Sequence, residues 1–178
     1  CLSCASPLYQ SGSGQSKCDS CAVGAYASGS GLTVCTQCAT GTYLTDAGLT
    51  ECSLCAPGKF QNLLGKTVCT LCPAGSYVIA SGASECTLCG TGAYYTGVGA
   101  ASQICSYCIP GTYSSQYGRT ALSDCLLCGA GTFSGFYAQS SNTSCTNCAL
   151  GTYSTTLGAN SSQVCTNCVA GTYGNATG

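Results

Sequence analysis

Ten Cys-x-x-Cys pairs, with no cysteine outside them, constrain this 178-residue chain more than any other feature. The pairs are Cys1/Cys4, Cys18/Cys21, Cys35/Cys38, Cys52/Cys55, Cys69/Cys72, Cys86/Cys89, Cys105/Cys108, Cys125/Cys128, Cys145/Cys148 and Cys165/Cys168. Their first cysteines advance by 17 residues five times, then by 19, then by 20 three times. A fixed period of this kind is the mark of a repeat array, in which each unit is too small to bury a core alone. The repeats run over residues 1–17, 18–34, 35–51, 52–68, 69–85, 86–104, 105–124, 125–144 and 145–164, with 165–178 incomplete.

Each pair is followed by x-x-Gly-x-Tyr or x-x-Gly-x-Phe, from Gly24/Tyr26 through Gly58/Phe60 and Gly131/Phe133 to Gly171/Tyr173. The first repeat departs, with Pro7 at the glycine position and Tyr9 in place. A second glycine sits mid-loop at Gly31, Gly48, Gly65, Gly82, Gly99, Gly118 and Gly158. A stretch such as Gly41-Thr-Tyr43, then a glycine-containing turn, then Leu49 to Cys52 reads as two short strands around a turn. The first glycine of each repeat is expected to supply a positive φ or a crowded backbone position. The aromatic is expected to lie on a disulfide. Frequent glycine and the lack of 3.6-residue periodicity argue against helix. The expected fold is a small disulfide-rich, mostly β and irregular solenoid of stapled hairpins, with no large core.

Three chemistries use paired cysteines. The spacing approaches that of four-cysteine zinc sites. Zinc sites would, however, alternate site loops with linker loops, and the loops here show only one drift from short to long. A thioredoxin-like redox motif needs one activated pair at a helix N-terminus, which ten equivalent pairs without helix do not provide. Structural disulfides fit best, with a multi-zinc Cys-x-x-Cys protein as the minor alternative. Uniform repeats favour joining the second cysteine of one pair to the first of the next: Cys4–Cys18, Cys21–Cys35, Cys38–Cys52, Cys55–Cys69, Cys72–Cys86, Cys89–Cys105, Cys108–Cys125, Cys128–Cys145 and Cys148–Cys165. The rival, first to first and second to second, again demands alternation. Cys1 and Cys168 are expected to pair outside the chain. The chain opens on Cys1 within a motif, without an initiator Met, and reads as a piece of something longer.

The combination C-x2-C-x2-G-x-Y resembles the ephrin-receptor-like cysteine-rich repeat and the simplest module of the tumour-necrosis-factor-receptor cysteine-rich domains. The resemblance covers all 178 residues. It implies that the cysteine before G-x-Y bonds the cysteine that closes the loop, the pairing that uniformity favours. Uninterrupted arrays of this length are similar to those of surface and flagellar-appendage proteins of protists and algae, and to CxxC-rich variable surface antigens. Pro7 and the longer loops after Cys89 depart from the pattern.

Composition narrows the function. Charged residues are 5% of the chain and the net charge is −1. The cations are Lys17, Lys59, Lys66 and Arg119, too few for a nucleic-acid surface. No apolar run reaches the roughly 18–20 residues that span a bilayer. Catalysis has little to draw on: there is no His, and Asp19, Asp46, Glu51, Glu85 and Asp124 are scattered over different repeats. No enzyme activity and no cofactor are expected, apart from covalent glycans. Three Asn-x-Ser/Thr sequons, at Asn142, Asn160 and Asn175, lie in polar loops beyond Asp124, the last charged residue. The leading expectation is an extracellular or cell-surface structural protein: a glycosylated rod, stalk or filament subunit whose partners are neighbouring copies of itself. The alternative is a receptor or adhesion ectodomain, or a surface antigen, that binds another surface protein. Its candidate contacts are Phe133, Phe136 and Tyr137, or Tyr94 and Tyr95.

Overall fold

The structure is a computed structural model, described here over residues 1–174. The chain divides into two compact units. The first comprises Cys1–Pro73, Tyr77–Thr87 and Val98–Gln103; the second comprises Ala74–Ser76, Leu88–Gly97 and the chain from Ile104 onward.

In the first unit the local structure begins with a tight turn after the second cysteine of a pair. The amide of Lys59 donates to the carbonyl of Ala56 at 3.0 Å, with Pro57 and Gly58 between them. Gly58 has φ +81°, which is what the third position of a type II turn demands. The turn launches a two-residue strand, and that strand pairs antiparallel with the two residues inside the next Cys-x-x-Cys. Leu8–Tyr9 pairs with Asp19–Ser20, Ala25–Tyr26 with Thr36–Gln37, Thr42–Tyr43 with Ser53–Leu54, and Lys59–Phe60 with Thr70–Leu71. The aromatic of each G-x-Y stands opposite the first residue inside the pair, as in Tyr43 against Ser53.

The second strand therefore lies later than the sequence reading places it. Leu49 does not belong to the hairpin of its own loop; its carbonyl accepts from Ala27 of the preceding loop. A two-residue strand has no periodicity to read, so only the backbone partners locate it.

The second unit repeats the scheme. Ala93–Tyr94 pairs with Ser106–Tyr107, Thr112–Tyr113 with Leu126–Leu127, Thr132–Phe133 with Thr146–Asn147, and Thr152–Tyr153 with Thr166–Asn167. Threonine in G-T-Y has a role in the turn: the hydroxyls of Thr112, Thr132 and Thr152 each donate to the carbonyl three residues back, at 2.7–2.8 Å. The longer loops of this unit spend their three extra residues on one 3-10 turn just before the closing cysteine, at Leu122–Asp124, Asn142–Ser144 and Ser162–Val164. These turns are the one helical element among the described residues, where the sequence predicts essentially no helix.

Among the described residues no large core forms. The second cysteines Cys21, Cys38, Cys55, Cys72, Cys89, Cys108, Cys128 and Cys148 are fully buried, at 0% exposure. They are accompanied by small or medium side chains such as Ala27, Leu44, Val78, Ala93 and Ala159. In each unit the apolar interior is chiefly sulfur.

Candidate functional site

The functional element to describe is the stapled loop and the backbone bonds that join it to the next. The disulfides connect Cys4–Cys18, Cys21–Cys35, Cys38–Cys52, Cys55–Cys69, Cys72–Cys86, Cys89–Cys105, Cys108–Cys125, Cys128–Cys145 and Cys148–Cys165. Their Cα–Cα separations are 5.7–5.9 Å, within the usual range for an unforced bridge. Cys1, exposed, and Cys168, half-buried, have no disulfide partner among the described residues. No group of three or more potential metal ligands forms there either.

Within each unit, three backbone bonds recur between one loop and the next. The turn glycine donates to the residue after the aromatic one loop on: Gly24 to Leu44 and Gly58 to Val78 in the first unit, Gly92 to Ser114 and Gly111 to Ser134 in the second. The residue after the aromatic donates to the limb beyond the next mid-loop glycine, as Leu44 does to Lys66 and Ser114 to Gln139. The mid-loop glycine donates back to the opening cysteine of the preceding loop, as Gly48 does to Cys21 and Gly118 to Cys89. Parallel bridges such as Tyr9 to Leu32 and Phe133 to Ala159 mark the same seam. Every one of these is a main-chain interaction, so the array holds together without requiring particular side chains at most positions.

The turn glycine is required twice over. Beyond its positive φ, it faces the mid-loop glycine two loops ahead. A Cβ on Gly58 would collide with the carbonyl oxygen of Gly99, and one on Gly111 with that of Gly158. Crowding and conformation, which the sequence offers as alternatives, act together. At the mid-loop position one non-glycine occurs: Ala138 holds φ +59° and donates to the carbonyl of Cys108. A left-handed alanine costs roughly 1–2 kcal/mol, so the seam outweighs the local preference there. Pro7, the other departure, follows a cis peptide bond from Ser6.

The aromatics sort into two classes. Tyr94, Tyr95 and Phe133 are half-buried, and both strands that supply Tyr94 and Phe133 lie in the seam. Phe136 and Tyr137, at the tip of the Cys128–Cys145 loop, are 74% and 63% exposed. Asn142 and Asn160 are exposed, Asn142 as the first residue of a 3-10 turn. Asn175 lies outside the described residues.

The Asp124 carboxylate is perturbed. The backbone N–H groups of Thr120 and Ala121 both donate to Asp124 Oδ2, at 2.9 and 3.0 Å, and the Thr120 hydroxyl adds a third bond. These donors favour the carboxylate and hold its pKa below the ordinary value, with the Arg119 charge a smaller influence. Because the folded pKa is lowered, the stabilisation is complete above the unfolded carboxylate pKa and is lost as pH falls through the folded one. Amide exchange should therefore show the Leu122–Asp124 turn losing protection in acid. The turns at Asn142–Ser144 and Ser162–Val164, which contain no carboxylate, should keep theirs.

A comparison with protein families now has a geometry to meet. The family described as tyrosine-protein kinase ephrin type A/B receptor-like matches residues 24–66, 41–89, 58–104 and 115–165, which together cover most of the chain. The chain belongs to the ephrin-receptor-like repeat family. No curated protein matches the sequence. Each match spans more than one Cys-x-x-Cys pair. An ephrin-receptor-like array with nine disulfides suits the oxidising, extracellular side of the cell. Among the described residues no helix is long and apolar enough to cross a membrane.

Proposed function

We propose that this ephrin-receptor-like array is a structural segment of an extracellular protein, serving as a stalk, rod or filament subunit alongside neighbouring copies of itself. The observation that carries this reading is the seam. The same three backbone bonds recur loop after loop in each unit, and they use groups every residue possesses. Such a scheme can be lengthened by adding loops, without enlarging a core. It also leaves the side chains free to vary, which suits a spacer better than a catalyst.

A second reading has its own support. Binding surfaces tend to concentrate exposed aromatic anchors, and the Cys128–Cys145 loop carries Phe136 and Tyr137 at its tip, directly before the irregular Ala138. On this reading the array is a receptor, adhesion or surface-antigen ectodomain, and that tip is the contact for a protein partner.

Electron microscopy of the full-length protein in its native material separates the two. Ordered filaments or stalks of regular length are expected for the structural role. Dispersed single molecules, combined with a protein partner whose capture is lost on Phe136→Ser, would replace it with the second reading.

A further inference from the structure

We infer that Asn142 and Asn160 carry N-linked glycans, and that this carbohydrate supplies the hydration that charged side chains supply earlier in the chain. The inference rests on the extracellular reading above, since it requires passage through a secretory compartment.

The observations converge on one stretch of each long loop. Three loops of the second unit possess the extra 3-10 turn, and each closing limb bears one strongly hydrophilic feature. In the Cys108–Cys125 loop it is the carboxylate of Asp124, the last charge in the sequence. In the Cys128–Cys145 loop it is Asn142, followed by Thr143 and Ser144; in the Cys148–Cys165 loop it is Asn160, followed by Ser161 and Ser162. Both asparagines are exposed. The same two loops present large apolar groups to solvent, with Phe136 at 74%, Leu157 at 62% and Leu150 at 65% exposure. Isolated apolar groups on a surface are ordinary. Here they coincide with a complete lack of charge, the condition under which chains associate. Bulky solvated carbohydrate on the same loops offsets it.

The modification is a group transfer. The donor is a lipid-linked oligosaccharide diphosphate, and a membrane oligosaccharyltransferase supplies the catalysis. The asparagine Nδ2 forms a bond to the anomeric carbon of the donor sugar. The bond from that carbon to the diphosphate oxygen breaks, the lipid diphosphate leaves with the electron pair, and Nδ2 gives up one proton. No oxidant or reductant is consumed.

The test is peptide mapping of the full-length protein from its native cells, under non-reducing and reducing conditions. The maps are made before and after enzymatic hydrolysis of amide-linked glycans in heavy-oxygen water. The expected result is heavy-isotope aspartate at positions 142 and 160, with the disulfides intact. Unmodified asparagine at both positions in a disulfide-bonded protein would overturn the glycan inference while leaving the extracellular reading standing. Free thiols throughout would overturn both. A second measurement addresses hydration. Secreted protein with Asn142→Gln and Asn160→Gln should keep its disulfides but show a severalfold larger aggregated fraction. An unchanged aggregated fraction would sink the hydration role.

Discussion

Full reduction and alkylation of the cysteines is expected to abolish the folded state at 25 °C. Each disulfide closes a loop with a sequence separation of 14–17 residues, and closing a loop of that size contributes about 3 kcal/mol in the chain-entropy account. Whole domains are stable by only about 5–15 kcal/mol. Little in this molecule could replace the staples. The strands are two residues long, and the fully buried large side chains are mostly the cysteines themselves. Reduction thus removes the constraint and the apolar interior together. The measurement is circular dichroism with limited proteolysis, before and after reduction; native-like protease resistance in the alkylated chain would refute the expectation. Replacing one bridge alone, with Cys55→Ser and Cys69→Ser, should cost about 3 kcal/mol by the same account. Its effect should be felt mainly in the loops bonded to it, because contacts in a repeat array run to near neighbours.

The second large effect is expected at the turn glycines, and the molecule contains its own control. Gly58 and Gly31 both hold left-handed angles, φ +81° and +70°. A Cβ on Gly58 would strike the Gly99 backbone, whereas one on Gly31 would come no nearer than 3.7 Å to its neighbour, Ser3. Gly31→Ala should therefore show the conformational cost alone, roughly 1–2 kcal/mol. Gly58→Ala should add the cost of forcing backbones apart, about a further 1–3 kcal/mol. Denaturation midpoints of the two variants test this directly. Equal losses would mean that the close approach between loops contributes nothing.

These contrasts indicate which parts of the fold are legible in a sequence of this kind. Glycine at Gly24, Gly41 or Gly58 is visible because no other residue tolerates both a positive φ and a carbonyl oxygen where its Cβ would be. The seam is another matter. Its donors and acceptors are main-chain atoms that every residue carries, so nothing in Leu49 or Lys66 announces that its carbonyl serves the preceding loop. The 3-10 turns are hidden for a similar reason. Residues 122–124, 142–144 and 162–164 have only a serine in common, at a different place in each, and only the three-residue lengthening betrays them. Ala138 shows the converse, a position where the seam imposes glycine geometry on a residue that does not prefer it.

The candidate site divides along the same line. The sequons at Asn142 and Asn160 are local chemistry and can be read directly from the chain. The aromatic residues are not local. Phe133 and Phe136 are three residues apart and chemically alike, yet one belongs to the seam and the other projects into solvent. Their difference lies in strand pairing, which composition does not record.

The pattern of bridges also fixes how tension would travel through the chain. Because each Cys-x-x-Cys contributes its two sulfurs to different loops, the shortest covalent route never enters a loop. It crosses from Cys21 to Cys35 through sulfur, a Cα–Cα span of 5.8 Å. It then follows three peptide steps to Cys38, about 10–11 Å when fully drawn out. The loaded path is therefore about 16–17 Å per repeat, against nearly 60 Å for a 17-residue unstapled chain. The thirteen residues between Cys21 and Cys35 hang beside this path and bear no load. Even fully unfolded by force, the oxidised molecule would behave as a short chain with closed side loops, and its reach would be set by sulfur connectivity, not by residue count.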